Sequence, residues 1–198
     1  MATKSLTRRD VLKSLTMGVA ASSVLCVIPA EAAEYAHRTV QTEKAAAGGA
    51  YAPKFFSPHQ YRTLQTLCQA IIPPDEKSGG AIEAGAPEFI DLLTSESADY
   101  QLTLGGGILW LDSTCSDRYG KTFIDSSPEE QKQILDLIAY RKNALTDPSV
   151  SQGVEFFSFL RNLTADGYFT SEIGIKDLQY IGNKYMKDFP GCPPVPEA

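Results

Sequence analysis

The chemistry open to this chain is bounded by how its cysteines, histidines and carboxylates are spaced. Two histidines occur, His37 and His59, and neither lies near a second donor at the spacing that a zinc or haem site needs. The four cysteines, Cys26, Cys68, Cys115 and Cys192, are too scattered to hold an iron–sulfur cluster. Paired acids such as Glu129 and Glu130 could do acid–base work. Their position just after Ser127-Pro128 explains them instead as favourable charge at a helix start. Gly105-Gly106-Gly107 lacks the dinucleotide spacing and no strand precedes it. Those glycines are expected to begin a helix or to permit close helix packing, with Trp110 in the core. Asn162-Leu163-Thr164 matches a glycosylation sequon but falls inside an apolar stripe, where it reads as accidental. The sequence predicts no catalytic residue, no metal and no cofactor site in this chain.

The cysteines say more about the compartment. If the first of them is lost with a leader, Cys68, Cys115 and Cys192 remain, an odd set that in an oxidising space suggests one internal bridge or a bond to another chain. Cys68 falls on an apolar helix face and reads as a small buried residue. Cys115, near a helix end, and Cys192, in Gly191-Cys192-Pro193-Pro194, are expected to be more accessible.

A leader is written at the start of the chain. Thr7-Arg8-Arg9-Asp10-Val11-Leu12-Lys13 resembles the twin-arginine export motif, with Arg8, Arg9, Val11, Leu12 and Lys13 as its signal residues. An apolar run from about Leu15 to Ile28 follows, short for a membrane span, and Ala30-Glu31-Ala32 offers small residues for cleavage after Ala32. An uncleaved anchor is the competing reading. Lipoprotein processing at Cys26 fails because Leu25 stands where a small residue is wanted. The twin-arginine route carries proteins that are already folded, often around a cofactor, so either this chain or its cargo is such a protein.

Positioning falls to helices. The chain has 198 residues with 43% hydrophobic and 21% charged, a globular composition. Its net charge is −6, leaving about −8 beyond the leader with no basic run, which argues against nucleic-acid binding. Three segments are expected: a signal peptide over residues 1–32, a flexible linker over 33–54, and one helical domain over 55–198. Ser57-Pro58-His59-Gln60 and Ser127-Pro128-Glu129-Glu130 each combine a capping serine, a proline in the first turn and a reciprocal cap three residues on. Tyr61, Leu64, Leu67, Cys68, Ile71 and Ile72 recur at the helical period, as do Ile134, Leu135, Ile138 and Arg141, and Phe156, Phe159, Leu160 and Leu163. Phe89, Leu92 and Leu93 mark a further helix with Pro87 in its first turn. The expected fold is all-α, a single compact domain of five or six helices.

Over the last third the sequence becomes specific: Gly167-Tyr168-Phe169-Thr170-Ser171, Gly174, Asp177-Leu178, Tyr180, Gly182-Asn183 and Gly191-Cys192-Pro193. Together with Phe55-Phe56-Ser57, Ile71-Ile72-Pro73, Ala84-Gly85-Ala86-Pro87-Glu88-Phe89-Ile90-Asp91 and Leu109-Trp110-Leu111-Asp112, it resembles the gluconate 2-dehydrogenase subunit 3 family from Phe55 onward. The resemblance implies a cofactor-free small subunit of a membrane-associated sugar or sugar-acid dehydrogenase. Its large subunit would be an FAD flavoprotein of the glucose-methanol-choline class, with a cytochrome c subunit carrying haem c as a frequent third member. The large subunit, which has no export signal, would fold around FAD and cross the membrane through the twin-arginine translocase bound to this chain, reaching the periplasmic side of the inner membrane. Tyr168, Phe169, Tyr180, Tyr185 and Cys192 are the expected interface residues. An independent periplasmic helical binding protein is the alternative.

Overall fold

The computed structural model describes residues 28–180 and residue 182. The expectations placed on Arg8, Arg9, Val11, Leu12, Lys13, Tyr185 and Cys192 lie outside them. The described residues form helices and connecting turns with no strand. In chain order these are α1 (Ala30–Ala46), α2 (Pro58–Ile71), α3 (Ala86–Glu96), the short α4 (Ala98–Tyr100), α5 (Gly106–Tyr119), α6 (Pro128–Ile138), α7 (Arg141–Thr146), α8 (Ser151–Phe169) and α9 (Glu172–Asp177). A π-helical turn, Gln101–Gly105, joins α4 to α5, and a 3-10 turn, Pro148–Val150, leads into α8.

Both serine-proline starts close as reciprocal caps. The Gln60 amide donates to Ser57 Oγ (3.3 Å) while the Ser57 amide donates to Gln60 Oε1 (3.1 Å). Ser127 and Glu130 repeat the pattern at 3.3 and 2.7 Å. Each box satisfies two amides that a helix start otherwise leaves open. At α3 the cap is Gly85 with φ 77°, a left-handed conformation in which a β-carbon would be strained.

The 19-residue α8 runs through the centre and packs against α2, α3, α5, α6, α7 and α9. Its buried face carries Phe156, Leu160 and Leu163 of the expected stripe, with Phe159 half-buried against the core, and adds Val154 and Phe157. Two glycines let its neighbours approach. A β-carbon on Gly107 of α5 would lie 2.0 Å from Phe156 Cδ2, and one on Gly153 of α8 would lie 2.3 Å from Trp110 Cζ3. The glycine run therefore works at a helix crossing. Trp110 lies half-buried over Gly153, at the edge of the core rather than inside it.

The N-terminal part departs from expectation. Residues 33–54 do not form a flexible linker: α1 occupies 17 residues from Ala30 and packs along α3. Ala32, Ala33, Ala36 and Val40 are its buried positions. Spaced one, three and four residues apart, they form a narrow stripe that fits flush against a neighbour. Glu31 in the first turn and Lys44 in the last oppose the helix dipole, which stabilises α1 further.

The expectation of an accessible Cys115 is corrected as well, while Cys68 is buried as expected. Cys115 is fully buried, as is Cys68, and both are free thiols. Cys115 lies on the inward face of α5 beside Ile108 and Leu111. Burial pushes the Cys68 thiol up to about 12 and the Cys115 thiol up to about 11, the latter with help from the Asp112 carboxylate. Thiols held so far from ionisation are poor nucleophiles and poor exchange partners.

Candidate partner-binding surface

Between the start of α1 and the α8–α9 corner lies a groove of about 890 Å3. Ala30, Glu34 and His37 line one wall, and Phe169, Ile175 and Tyr180 line the other. Phe169 is 41% exposed and Tyr180 54% exposed, and Ile175 and Leu178 beside them are also exposed. Four neighbouring apolar side chains left in solvent mark a surface that a partner can cover.

Local structure aims these side chains. Ser171 caps α9 by accepting from the Gly174 amide (3.1 Å), and its own hydroxyl donates to the Tyr168 carbonyl (2.7 Å). A β-carbon on Gly174 would sit 2.1 Å from that same carbonyl oxygen, so only glycine lets α9 fold back this tightly on α8. At the other end the Tyr180 amide donates to the Ile175 carbonyl (3.1 Å) and the Gln179 amide to the Lys176 carbonyl (2.9 Å). This is a Schellman ending, with Gln179 at φ 52° where glycine is usual. It brings Ile175 and Tyr180 to the same rim.

His37 closes the floor. Its ring stacks on Phe89 with centroids 4.9 Å apart, and its Nε2 lies 2.9 Å from Thr170 Oγ1. The Thr170 hydroxyl donates to the Asp166 carbonyl (2.6 Å). Its remaining lone pairs therefore accept from His37 Nε2–H, which fixes the tautomer. Burial lowers the His37 pKa, keeping the ring neutral. The residue pins α1 to the end of α8.

Of the expected interface residues, the structure brings Phe169 and Tyr180 together at the groove. Tyr168 is not available to a partner: it is 3% exposed, and its hydroxyl meets Ser78 Oγ at 2.8 Å and donates to Asp177 Oδ2 at 3.4 Å. An apolar ring with a polar tip serves the core as well as an interface, and here internal partners exist for the tip. Of the cleavage residues, Ala30 is exposed and Ala32 is 2% exposed, both in the first turn of α1.

A second polar centre holds the wall in place. Asp91, fully buried in the middle of α3, accepts from Tyr51 Oη (2.8 Å) and the Lys54 amide (2.6 Å) at one oxygen. Its other oxygen accepts from the amides of Phe55 (3.2 Å) and Phe56 (3.1 Å). Lys44 Nζ reaches Glu88 one turn away at 2.9 Å. These contacts tie α1 and the 51–56 strap to α3, and burial together with Asp91 raises the Tyr51 phenol pKa. A lone acid in Phe89-Ile90-Asp91-Leu92-Leu93 is the sequence signal that could have revealed this centre.

His59 Nε2 pairs with Asp112 Oδ2 at 2.7 Å, and the other Asp112 oxygen accepts from the Phe123 amide at 3.0 Å. That pair joins α2 to α5 and the turn beyond it. Among the described residues no three His, Cys, Asp or Glu side chains gather as a metal site, and no helix is long and apolar enough to cross a membrane.

The family model described as gluconate 2-dehydrogenase subunit 3 matches residues 58–191, more than half of the chain. No curated protein and no solved structure matches.

Proposed function

Because this chain belongs to the gluconate 2-dehydrogenase subunit 3 family, we propose that it is the non-catalytic small subunit of an FAD-dependent, glucose-methanol-choline type sugar or sugar-acid dehydrogenase. The family description, which names a subunit of a dehydrogenase, supports this reading. The flavin subunit holds FAD and does the chemistry, and where a membrane-bound cytochrome c subunit completes the complex it passes electrons on. The small subunit acts by binding. The observation that carries this reading is the exposed apolar rim of Phe169, Ile175, Leu178 and Tyr180 on an otherwise ordered groove. A stable interface buries roughly 1,000 Å2 or more and concentrates its energy in a few central aromatics, and this rim supplies two.

Export belongs to the same proposal. Arg8, Arg9, Val11, Leu12 and Lys13 address the chain to the twin-arginine translocase, and the folded flavoprotein crosses as its passenger to the periplasmic face of the inner membrane. Cys192, in a proline-flanked segment, is the cysteine placed to bond the partner. Cys68 and Cys115 are buried and cannot reach another chain without unfolding.

The test is purification of the tagged chain from its own host. A yellow flavoprotein of larger mass should co-purify in equal amount, with dehydrogenase activity confined to the complex. Recovery of a colourless chain alone, under conditions that keep the dehydrogenase intact, overturns the reading in favour of an independent helical binding protein.

A further inference from the structure

The start of α1 is built into the core in a way that bears on how the leader is removed. Ile28 is 7% exposed, and its amide donates to the carboxylate of Asp166 on α8. Pro29 precedes α1, and its carbonyl accepts from the amides of Ala32 (2.9 Å) and Ala33 (3.1 Å). Ala32, Ala33 and Ala36 are all buried against the neighbouring helices. The small residues Ala30 and Ala32, which as a sequence suit a leader peptidase, therefore stand in a closed helical turn. They point about 200° apart around its axis.

A protease that reads small side chains two residues apart binds its substrate extended, where alternate residues face the same side. Presenting the bond after Ala32 in that form requires the first turn of α1 to unwind and Ile28, Ala32 and Ala33 to leave the core. Cutting there would also strip Ile28 and Ala32 from the domain. Asp166 would lose its amide donor, and its Oδ2 is already buried without a partner. A chain that crosses the membrane folded meets the peptidase with this turn closed.

We propose that the bond after Ala32 is not the point at which the leader is removed, and that Ile28–Ala32 is a permanent part of the domain, the plug that seats α1 on α8. This inference rests on the export reading for its biological setting but on packing alone for its physics. Any processing occurs upstream of Ile28, and the mature chain carries Ile28 and Pro29.

Two measurements separate the two claims. N-terminal sequencing of the chain recovered from the periplasm should give a start at or before Ile28, whereas a start at Ala33 overturns the inference and leaves export standing. If fractionation finds no chain outside the cytoplasm, export fails, and the second measurement decides the inference by itself. The full-length folded chain is treated with elastase, which cuts after small residues, beside a urea-unfolded sample. Protection from Ile28 to Ala46 in the folded chain alone is the expected result; equal cutting after Ala32 in both samples overturns it. Ile28→Asp should speed cutting after Ala32 by about tenfold or more through local opening. An unchanged rate in Ile28→Asp, with circular dichroism showing a folded chain, also overturns it.

Discussion

Replacing Asp91 with alanine should be among the most damaging single changes outside the apolar core. Four donors lose their acceptor: the Tyr51 hydroxyl and the amides of Lys54, Phe55 and Phe56. A buried donor left unpaired costs about 1–3 kcal/mol. Lys54 is exposed and can be rehydrated, Phe55 and Tyr51 are half-buried and can be so in part, and Phe56 is buried and cannot. Counting Phe56 in full and the other three in part gives a loss of about 3–4 kcal/mol. That is a large share of the ~5–15 kcal/mol typical of a folded domain. At roughly 2–4 °C per kcal/mol for a chain of this size, the melting temperature should fall by about 10 °C. Urea and thermal unfolding followed by circular dichroism measure both quantities. Tyr51→Phe removes one donor and leaves Asp91 the other three, so it should cost about 1 kcal/mol. In the double variant the two effects should fall short of additive. A loss below ~1 kcal/mol for Asp91→Ala would falsify the view that this carboxylate clamps the 51–56 strap to α3.

Other changes test other parts of the account. Gly107→Ala gains helix propensity but drives a methyl into the Phe156 ring, so a net loss of about 1–3 kcal/mol is expected by urea unfolding, and a stabilised protein would refute the close crossing. Asp166 is raised by burial to about 6 from 3.8, with the Ile28 amide opposing. The folded state therefore holds its proton more tightly than the unfolded one, and this group's contribution to stability is present below about pH 4 and is lost as pH rises through about 6. Asp166→Asn should thus be more stable than the parent at pH 7.5 and lose that advantage by pH 4, as thermal melts across that range will show. Phe169→Ser should change the stability of the isolated chain little, yet weaken co-purification with the flavoprotein by roughly 2 kcal/mol in binding, about thirtyfold. A higher band on a non-reducing gel of the purified complex should disappear in Cys192→Ser; no such band in the parent excludes a Cys192 bond.

The helices that start on a serine-proline cap were legible because the signal is local: the residues that close each box lie within four positions of one another. The α8 stripe was legible for a similar reason, since large apolar residues at Phe156, Leu160 and Leu163 announce a buried face. α1 was not. Its buried positions are mainly alanines, which carry little hydrophobic contrast, so an amphipathic helix reads as a featureless lead even though alanine favours helix more than any other residue. Asp91 was missed because its donors come from a strap some 35–40 positions away, and no local pattern shows that a lone acid has found them. Cys115 and Tyr168 went the other way: both suit a surface by type, and only the packing of α5 and α8 shows them buried. Phe169 and Tyr180 drew attention by type and stand exposed, while the exposure of Ile175 and Leu178 was not legible, since exposure at the end of a short helix depends on how α9 folds back at Gly174.

The proposed carriage of a flavin dehydrogenase through the membrane rests on Arg8 and Arg9. Its most direct test replaces Arg8-Arg9 with Lys-Lys and assays dehydrogenase activity in periplasmic and cytoplasmic fractions. If this chain is the carrier, the activity moves to the cytoplasm together with it; undiminished activity in the periplasm contradicts that role.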